Sequence, residues 1–265
     1  MKTILNRRNP FGFHPKGFLW ETLATLLATL GRPPKHFDYG AHDGSMLCLL
    51  SQTGVIGEAV GVDLNADVVH ASQEKLPPNV SLIAITKNPI LEYLDESFDS
   101  VSIIGVLEHI HNQEAVLWQL HRILKRDGIL VVAVPGRHFF SFLDMGNFKF
   151  IFPRLHRWFY IWRHGDKRYQ ERYVQFRNGL IGDIEVEKRW HQHFSHKELR
   201  TLLEKCGFDV IKEDGFGFFN RVLINFAYFL PGSNHRFLDR LIKFDARVFH
   251  QTEIFVSAMR REKVQ

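Results

Sequence analysis

The sequence predicts an α/β fold built on an open, mostly parallel sheet with helices on both faces. Short, continuously apolar segments alternate with amphipathic helical patterns between about residues 19 and 135, and this alternation is typical of a doubly wound parallel sheet. A glycine-containing turn at residues 40–44 follows the first apolar segment, where such sheets bind ligands. At 265 residues, 45% of them hydrophobic, the chain is long enough to bury a sizeable core.

The predicted elements have recognisable beginnings and ends. The first helix includes Leu19 and ends at Gly31, where a glycine followed by two prolines stops a helix. Asn65 is the predicted N-cap of a later helix, and Ser195 with Glu198 forms a capping box that begins another. Strands are predicted at 36–39, 58–63, 80–85, 100–104, 129–134, 208–211 and 253–259, and further helices at 45–50 and 116–124.

One segment, residues 136–190, breaks the alternation. It shows no strand–helix pattern and is rich in aromatic and basic residues. Because the alternation resumes after it, we expect a lid inserted into one domain that spans residues 1–265, and not a second domain. The residues that define its composition include Phe148, Lys149, Phe152, Arg154, Arg157, Trp158, Phe159, Tyr160, Trp162 and Arg163.

Composition and charge narrow the class of protein. Cys48 and Cys206 lie in apolar helical patterns, so we expect two buried thiols in a reducing compartment and no disulfide framework. We find no secretory signal pattern, and the apolar stretch at 218–230 is shorter than the roughly 20 residues of a spanning helix. These features predict a cytoplasmic protein. A net charge of +5 and an isoelectric point near 9.2 are compatible with an anionic partner without requiring one.

The turn at residues 40–44 carries the most specific functional signal. Glycine lets the backbone adopt left-handed torsions and approach a ligand closely. About 20 residues further along, Asp63 ends the second predicted strand, where a carboxylate can accept hydrogen bonds from ribose hydroxyls. The dinucleotide fingerprint Gly-x-Gly-x-x-Gly is not met, because His42 and Ser45 stand where its second and third glycines would follow Gly40. The sequence therefore predicts a nucleoside cofactor without a pyrophosphate.

Five segments resemble the successive motifs of class I S-adenosylmethionine-dependent methyltransferases, in the order and strand context of that family. They are Asp38-x-Gly40-x-x-x-Gly44, Gly61-Val62-Asp63, Ser97-Phe98-Asp99-Ser100-Val101, Val106-Leu107-Glu108-His109-Ile110 and Leu124-x-x-x-Gly128-Ile129-Leu130. A later segment is similar to the small-molecule branch of the family and reads His191-x-x-Phe194-Ser195, then Leu202-Leu203-x-x-x-Gly207-Phe208. The resemblance covers about residues 36–135 and 190–212.

This resemblance implies a seven-stranded Rossmann-like sheet with an antiparallel last strand, and S-adenosyl-L-methionine as the cofactor. The turn would lie against the methionine end and ribose, Asp63 would hold the ribose hydroxyls, and Gly105 would lie beside the methyl donor. The cofactor-binding residues implied in this way are Asp38, Gly40, His42, Gly44, Asp63, Leu64, Asn88 and Gly105.

Two departures from the family pattern bear on cofactor binding. His42 stands where the family has a middle glycine, which crowds the turn. The acidic residue that follows the third strand in the family is replaced within Thr86-Lys87-Asn88, where Asn88 offers its amide to the adenine edge. A non-catalytic scaffold that has lost the cofactor is therefore an alternative to an enzyme.

Two histidines are candidates for the proton acceptor of a methyl transfer. A sulfonium methyl is already activated, so the protein mainly aligns the acceptor and, for a hydroxyl, removes its proton. His109 follows the fourth strand at the ligand edge, and His191 lies in a segment that returns to the acceptor pocket in the family. The alternatives are a supporting role for His109 beside Glu108 and a structural role for His191. Neither histidine has acidic or cysteine partners at a recognised metal spacing, so we expect no metal.

The inserted segment bears on the acceptor. Aromatic and cationic side chains together are typical of a membrane interface, so residues 148–168 are a candidate for peripheral membrane contact. Alternatively the rings form the lid's own core, which still implies a partly apolar acceptor pocket. An RNA ligand is the weaker alternative, because Asp183, Glu185 and Glu187 interrupt the basic run. We expect methyl transfer to a small apolar or lipid-linked acceptor, at a hydroxyl oxygen.

Overall fold

The computed structural model describes residues 9–10, 14–86, 90–143, 149–174, 192–223 and 236–261. Within these ranges the strands are β1 His36–Tyr39, β2 Ala59–Asp63, β3 Val80–Ala84, β4 Phe98–Ile104, β5 Leu124–Pro135, β6 Phe208–Phe216 and β7 Glu253–Arg260. The helices are α1 Pro15–Leu30, α2 Ser45–Thr53, α3 Ala66–Ser72, α4 Gln113–Ile123, α5 Pro153–His164, α6 Asp166–Tyr169, α7 His196–Lys205 and α8 Arg236–Val248.

The strands form one sheet in the order β3-β2-β1-β4-β5-β7-β6. The neighbouring strands from β3 to β5 pair in parallel, and β7 pairs antiparallel with both β5 and β6. β2 and β3 lie on one side of β1, and β4 and β5 lie on the other. The crevice between β1 and β4 is therefore the switch point at which such sheets bind ligands. The predicted α/β class, the seven-stranded sheet and the antiparallel last strand are confirmed.

Helices cover both faces of the sheet, as continuously apolar strands require. α1, α2 and α3 contribute to the core on one face, whereas α4 and α7 contribute to the core on the other. β5 shows how one strand serves both cores, since Leu130 and Val132 enter one while Val131 and Ala133 enter the other. Each fully buried Leu or Phe contributes about 2 kcal/mol, so the two cores hold the strand ends in fixed positions.

Several boundaries differ from the predicted ones. β5 begins at Leu124, five residues before the predicted start, and β6 continues to Phe216 beyond its predicted end at residue 211. The added part of β6 reads Lys-Glu-Asp-Gly-Phe, and an edge strand tolerates these charges because one of its edges meets solvent. The sequence pattern predicts neither α5 nor α8, although both are regular helices in the structure.

Two further expectations meet the structure here. Cys206 is buried, as predicted. Cys48 is only partly buried, because Leu47 and Leu50 form the buried face of α2 and Cys48 lies off that face. Across the described parts of the chain, no helix combines the length and the apolar character that crossing a bilayer requires.

Candidate functional site

The carboxyl ends of the strands bring distant chain segments to one edge of the sheet. Because β1, β2, β4 and β5 run parallel, the residues that follow them meet there, and β6 ends at the same edge because it runs antiparallel to β7. The residues that directly follow these five strands are Gly40, Leu64, Gly105, Gly136 and Gly217. We call this the carboxyl edge.

The turn after β1 is tied to β2 through its backbone. The N–H groups of Gly40 and Ala41 both donate to the carbonyl oxygen of Val62, at 2.8 and 2.9 Å. Gly40 has a φ of 85°, and a Cβ atom there would lie 2.2 Å from a methyl group of Val106. Any side chain at this position would displace Val106 or open the turn, so the position requires glycine.

The Asp63 carboxylate faces this turn and is fixed by two backbone donors. The N–H of His42 donates to Oδ2 at 2.7 Å, and the N–H of Asn65 donates to Oδ1 at 2.9 Å. Asp63 is buried, while Leu64 beside it is partly exposed. A carboxylate has about four acceptor positions, so both oxygens retain capacity for further donors. The residues present therefore fit the two hydroxyls of a ribose.

Two residues of the turn have left-handed backbone torsions. Gly44, at φ 70°, precedes α2, and a Cβ atom there would lie 2.9 Å from Leu82 on β3. His42, at φ 50°, costs about 1 kcal/mol more than glycine in this region. Its side chain is partly exposed, with Nδ1 3.7 Å from the Asp43 carboxylate. His42 therefore has the left-handed backbone conformation that a glycine would adopt at this position, and its backbone N–H donates to Asp63.

A buried polar network lies behind the turn, between β1 and β4. The Ser102 hydroxyl donates to Oδ1 of Asp38 at 2.5 Å, so Nε2 of His36, 3.0 Å away, must donate to Ser102. Nδ1 of His36 lies 2.8 Å from the Ser100 hydroxyl. Burial lowers the pKa of His36 to about 3. Burial also raises the pKa of Asp38 to about 6 against the hydrogen bond from Ser102, and the nearby Asp63 charge adds to the rise.

Gly105 and His109 lie beside the turn, after β4. A Cβ atom on Gly105 would have only Oε1 of Glu108, at 3.8 Å, within 4 Å among the described residues, so a ligand can approach this backbone closely. His109 ends the 3₁₀ turn Leu107–His109, and its Nε2 lies 3.9 Å from Oε1 of the buried Glu108. Both predicted residues therefore lie at the carboxyl edge, with the His109 ring turned toward Glu108.

His138, which belongs to none of the sequence motifs, lies at the same edge after β5. The backbone N–H of His138 donates to Oγ of Ser141 at 2.8 Å, and its ring Nδ1 is 3.3 Å from the carbonyl oxygen of Gly136. Nδ1 also lies 3.2 Å from the Ser141 hydroxyl, which itself donates to the Gly136 carbonyl at 3.2 Å. With the Ser141 proton directed at that carbonyl, Nδ1 carries the ring proton and Nε2 is the acceptor. Nε2 is buried and has no hydrogen-bond partner in the part of the chain that the structure describes.

Burial lowers the pKa of His138, and the positive charges of Arg221 and His193 lower it further, against hydrogen bonds to the backbones of Gly136 and Phe218 that raise it. The ring is therefore neutral near pH 7 and able to accept a proton. The only sequence signal for His138 is its position just beyond the Pro135–Gly136 end of a predicted strand.

Aromatic rings from three segments surround His138. The Phe218 ring lies 5.8 Å from His138 and 5.3 Å from Phe140, and the Phe249 ring lies 5.7 Å from Phe218. Aromatic pairs at such spacings are favourable beyond their buried area. The rings that form this group, here called the aromatic cluster, are Phe139, Phe140, Phe218, Phe219 and Phe249.

Two predicted site residues, Asn88 and His191, lie outside the described residues. The segment after His191 returns to the carboxyl edge, where Phe194 exchanges backbone hydrogen bonds with Pro135 and Arg137. In the described ranges, no group of three or more His, Cys, Asp or Glu side chains is arranged to hold a metal ion.

The fold and the turn together define the class of protein. A seven-stranded sheet of this order, with a glycine turn after β1 and a carboxylate at the end of β2 that fits a ribose, is the arrangement of class I S-adenosylmethionine-dependent methyltransferases. A family model described as a methyltransferase domain matches residues 14–213. The chain belongs to this methyltransferase family, and the cofactor of the family is S-adenosylmethionine.

Among curated proteins, the chain is similar to a demethylmenaquinone methyltransferase of Thermotoga maritima, with 26% identity over 49% of this chain and 54% of that protein. It is also similar to the ubiquinone/menaquinone biosynthesis C-methyltransferase UbiE of Photorhabdus laumondii, with 24% identity over 78% of each chain. For several of these relatives the match spans about half of their length, 54% and 56% in two cases.

Solved structures share the fold at low sequence identity. An S-adenosylmethionine-dependent methyltransferase from Mesorhizobium loti has a TM-score of 0.56 and 12% identity, over 93% of this chain and 98% of that one. A Burkholderia thailandensis 1,6-didemethyltoxoflavin-N1-methyltransferase, solved with S-adenosylhomocysteine bound, has a TM-score of 0.52 and 16% identity, over 91% and 77%. At such identities the likeness shows the fold alone.

Proposed function

We propose that this protein transfers the methyl group of S-adenosylmethionine to a small apolar or lipid-tailed acceptor, at a hydroxyl oxygen. The observation that carries this proposal is the adjacency of two unlike surfaces at the carboxyl edge. One is the polar turn with Asp63, which suits a nucleoside. The other is the aromatic cluster with His138, which suits an apolar acceptor that must lose a proton.

In this proposal the predicted cofactor residues keep their roles. Asp63 with Leu64 holds the ribose hydroxyls. The turn from Gly40 to Gly44, supported by Asp38, lies against the methionine end of the cofactor. Gly105 lies beside the methyl donor, and Asn88 contacts the adenine. When bound, S-adenosylmethionine supplies a methyl group that its sulfonium already activates. The chain's own contribution is alignment, which can lower a barrier by about 7–11 kcal/mol.

We assign the proton acceptor to His138. Its Nδ1 contacts the Gly136 carbonyl, its Nε2 has no hydrogen-bond partner in the described residues, and its lowered pKa keeps it neutral at pH 7. His109 turns its Nε2 toward Glu108, which supports a positioning role for it. His191 stays a candidate on the strength of its sequence segment.

A ring carbon is the second candidate for the methylated atom. Two relatives are named for quinone biosynthesis, one of them as a C-methyltransferase. Removing the proton of a phenolic hydroxyl increases electron density on both the oxygen and the ring carbons beside it, so a base at His138 can begin either transfer. After transfer to carbon, the ring regains aromaticity when that carbon loses its hydrogen as a proton to solvent and His138 returns a proton to the oxygen. The position of the methyl group in the product distinguishes them.

The inserted segment 136–190 is proposed to recognise the acceptor, as part of one domain that spans residues 1–265. In α5 the side chains of Leu155, Trp158 and Trp162 are 50%, 63% and 69% exposed, and they alternate with Arg154 and Arg157. Exposed tryptophans beside arginines are typical of surfaces that contact lipid headgroups. We therefore propose a cytoplasmic protein that contacts a membrane through residues 148–168.

The test is a methyl-transfer assay with methyl-labelled S-adenosylmethionine and two matched acceptors, a prenylated hydroquinone and the same hydroquinone without its tail. We expect label in both products, with a higher kcat/KM for the prenylated acceptor, and mass spectrometry with NMR locates the methyl group on oxygen or carbon. Asp63→Ala serves as the control without transfer.

Three results would count against this proposal. Cofactor binding without transfer to either hydroquinone contradicts the acceptor class. Transfer of label to RNA, with an affinity that falls steeply as salt rises, favours the nucleic-acid alternative. Absence of cofactor binding by a folded protein favours a non-catalytic scaffold.

A further inference from the structure

α8 presents an apolar stripe to solvent. Phe237, Leu241, Phe244 and Val248 are 75%, 36%, 62% and 48% exposed, and their spacing of four, three and four residues puts them on one face of the helix. Scattered exposed apolar residues are ordinary, whereas a contiguous stripe with two phenylalanines marks a contact surface.

The same helix anchors itself through its neighbouring face. Leu238 and Asp245 are 7% and 3% exposed, and the Asp245 carboxylate accepts hydrogen bonds from the N–H groups of Phe218 and Phe219 at 2.9 to 3.2 Å. α8 therefore packs on the molecule with one face and leaves the adjacent apolar face uncovered by any described residue. Its geometry is fixed without the help of that stripe.

Cations flank the stripe on the side away from the molecule. At about 100° per residue, Arg240, Lys243 and Arg247 lie on the face opposite Leu238 and Asp245, with Arg240 next to the stripe. Asp239 is exposed on the same side of the helix. Among the described residues it forms no ion pair with any of these three cations, so this side keeps a net positive charge. An apolar stripe bordered by unneutralised cations is complementary to a surface that is apolar inside and anionic outside, which describes an anionic bilayer.

The stripe lies close to the aromatic cluster. Phe249 directly follows α8 and its ring lies 5.7 and 5.8 Å from the rings of Phe218 and Phe219, which Asp245 holds through their backbones. The Val248 end of the stripe therefore adjoins the aromatic cluster along the chain.

We propose that α8 is a membrane-docking helix, whose stripe of Phe237, Leu241, Phe244 and Val248 inserts into the interface of an anionic bilayer while Arg240, Lys243 and Arg247 contact lipid headgroups. Docking in this orientation holds the aromatic cluster at the lipid boundary. That an acceptor reaches the cluster from the bilayer rests on the proposed function; the docking itself does not.

The experiment is sedimentation of the full chain with vesicles, in the absence of cofactor and acceptor, so its outcome is independent of methyl transfer. The vesicles are phosphatidylcholine alone or phosphatidylcholine mixed with phosphatidylglycerol. We compare the wild type with Phe237→Glu/Phe244→Glu and with a matched control, Leu94→Glu. Leu94 is 84% exposed and precedes β4 at the opposite edge of the sheet. Circular dichroism and cofactor affinity verify that each variant is folded.

We expect binding to the phosphatidylglycerol vesicles that weakens as salt rises, a partition coefficient at least about tenfold lower for the double variant, and no change for Leu94→Glu. Lys243→Glu/Arg247→Glu lowers binding to the anionic vesicles and leaves any binding to phosphatidylcholine unchanged.

Equal vesicle binding by Phe237→Glu/Phe244→Glu and by the wild type overturns the proposal. The proposal is also overturned if the wild type does not bind vesicles and light scattering shows a dimer for the wild type but a monomer for the double variant. The stripe then contacts a second copy of the chain. Displacement of the protein from vesicles by single-stranded RNA, added at a phosphate concentration equal to that of the anionic lipid, also counts against the proposal. The cations would then bind a nucleic acid.

Discussion

The two sides of the carboxyl edge are built in different ways. On the cofactor side, a continuous stretch from Asp38 to Gly44 meets Asp63, and most of the contacts are backbone hydrogen bonds. On the acceptor side, His138, Phe218 and Phe249 come from three separate segments of the chain, and their rings meet through side-chain contacts. The cofactor side tolerates few substitutions because backbone geometry defines it, whereas the acceptor side can change its specificity one side chain at a time.

The largest effect is expected from the cofactor side. Asp63→Ala removes both the ribose acceptors and the two bonds that hold the turn, so the affinity for S-adenosylmethionine falls about a hundredfold, which corresponds to about 3 kcal/mol. Calorimetric titration measures it. Asp67→Ala is the matched control, because that carboxylate is exposed on α3 and belongs to neither the turn nor the predicted cofactor-binding residues. Equal affinity of Asp63→Ala and the wild type would show that the turn binds no nucleoside.

Loss of the proton acceptor is expected to rank next. His138→Gln keeps a polar side chain but removes the base, so kcat falls about a hundredfold while cofactor affinity is unchanged. The wild-type rate should be level near pH 7 and fall only in acid, because the lowered pKa of His138 places its protonation below the usual histidine range. Stopped assays across pH check both points. A variant that keeps the wild-type rate and pH profile would return the role to His109 or His191.

A substitution in the aromatic cluster should have a smaller effect. Phe140→Ala removes a ring that contacts Phe218 and Phe219, and we expect KM for the apolar acceptor to rise about tenfold, or about 1.4 kcal/mol, with little change in cofactor affinity. Phe139→Ala is the comparison, since that ring is 74% exposed at the rim. Steady-state kinetics with the prenylated hydroquinone measure both. If the two variants behave alike, the cluster does not line the acceptor site.

The smallest effect concerns stability. Burial raises the pKa of Asp38 from 3.8 to about 6, so ionising it destabilises the fold progressively as pH rises through that interval. Asp38→Asn should therefore be more stable than the wild type by about 1 kcal/mol at pH 8, because the amide is also costly to bury but carries no charge. The gain should vanish near pH 4. Thermal unfolding at the two pH values tests the difference, and a variant less stable than the wild type at pH 8 would show that the Asp38 charge is stabilised by its network.

Much of the cofactor side was predictable because its residues are local in the sequence. Gly40 directly follows the predicted strand β1 and Asp63 ends the predicted strand β2, so both can be selected from the sequence by their positions at strand ends. The parallel pairing of β1 and β2 then brings the two residues together. The adenine contact at Asn88 and the role of His191 stay predictions. What local pattern could not indicate is that His42 still donates its N–H to Asp63 from a left-handed backbone.

The acceptor side was only partly predictable. The sequence indicated an aromatic and cationic surface around residues 148–168, but not that Phe140, Phe218 and Phe249 form one cluster. The apolar positions of α8 are spaced three or four residues apart, so its helical period was present in the sequence. What local pattern could not indicate is that Leu238 is buried while Phe237 and Phe244 stay exposed.

By itself the sequence determined the α/β class, the strands at the switch point and the family, since each depends on hydrophobic period and on short motifs at strand ends. The tertiary structure alone decided that the His138 ring lies beside Phe140 and Phe218 in the aromatic cluster and that α8 shows an apolar stripe to solvent. The physical reason is that periodicity reports how a segment folds against itself and its immediate neighbours. Which distant side chains share a pocket, and which apolar face stays uncovered, depends on how the finished elements pack.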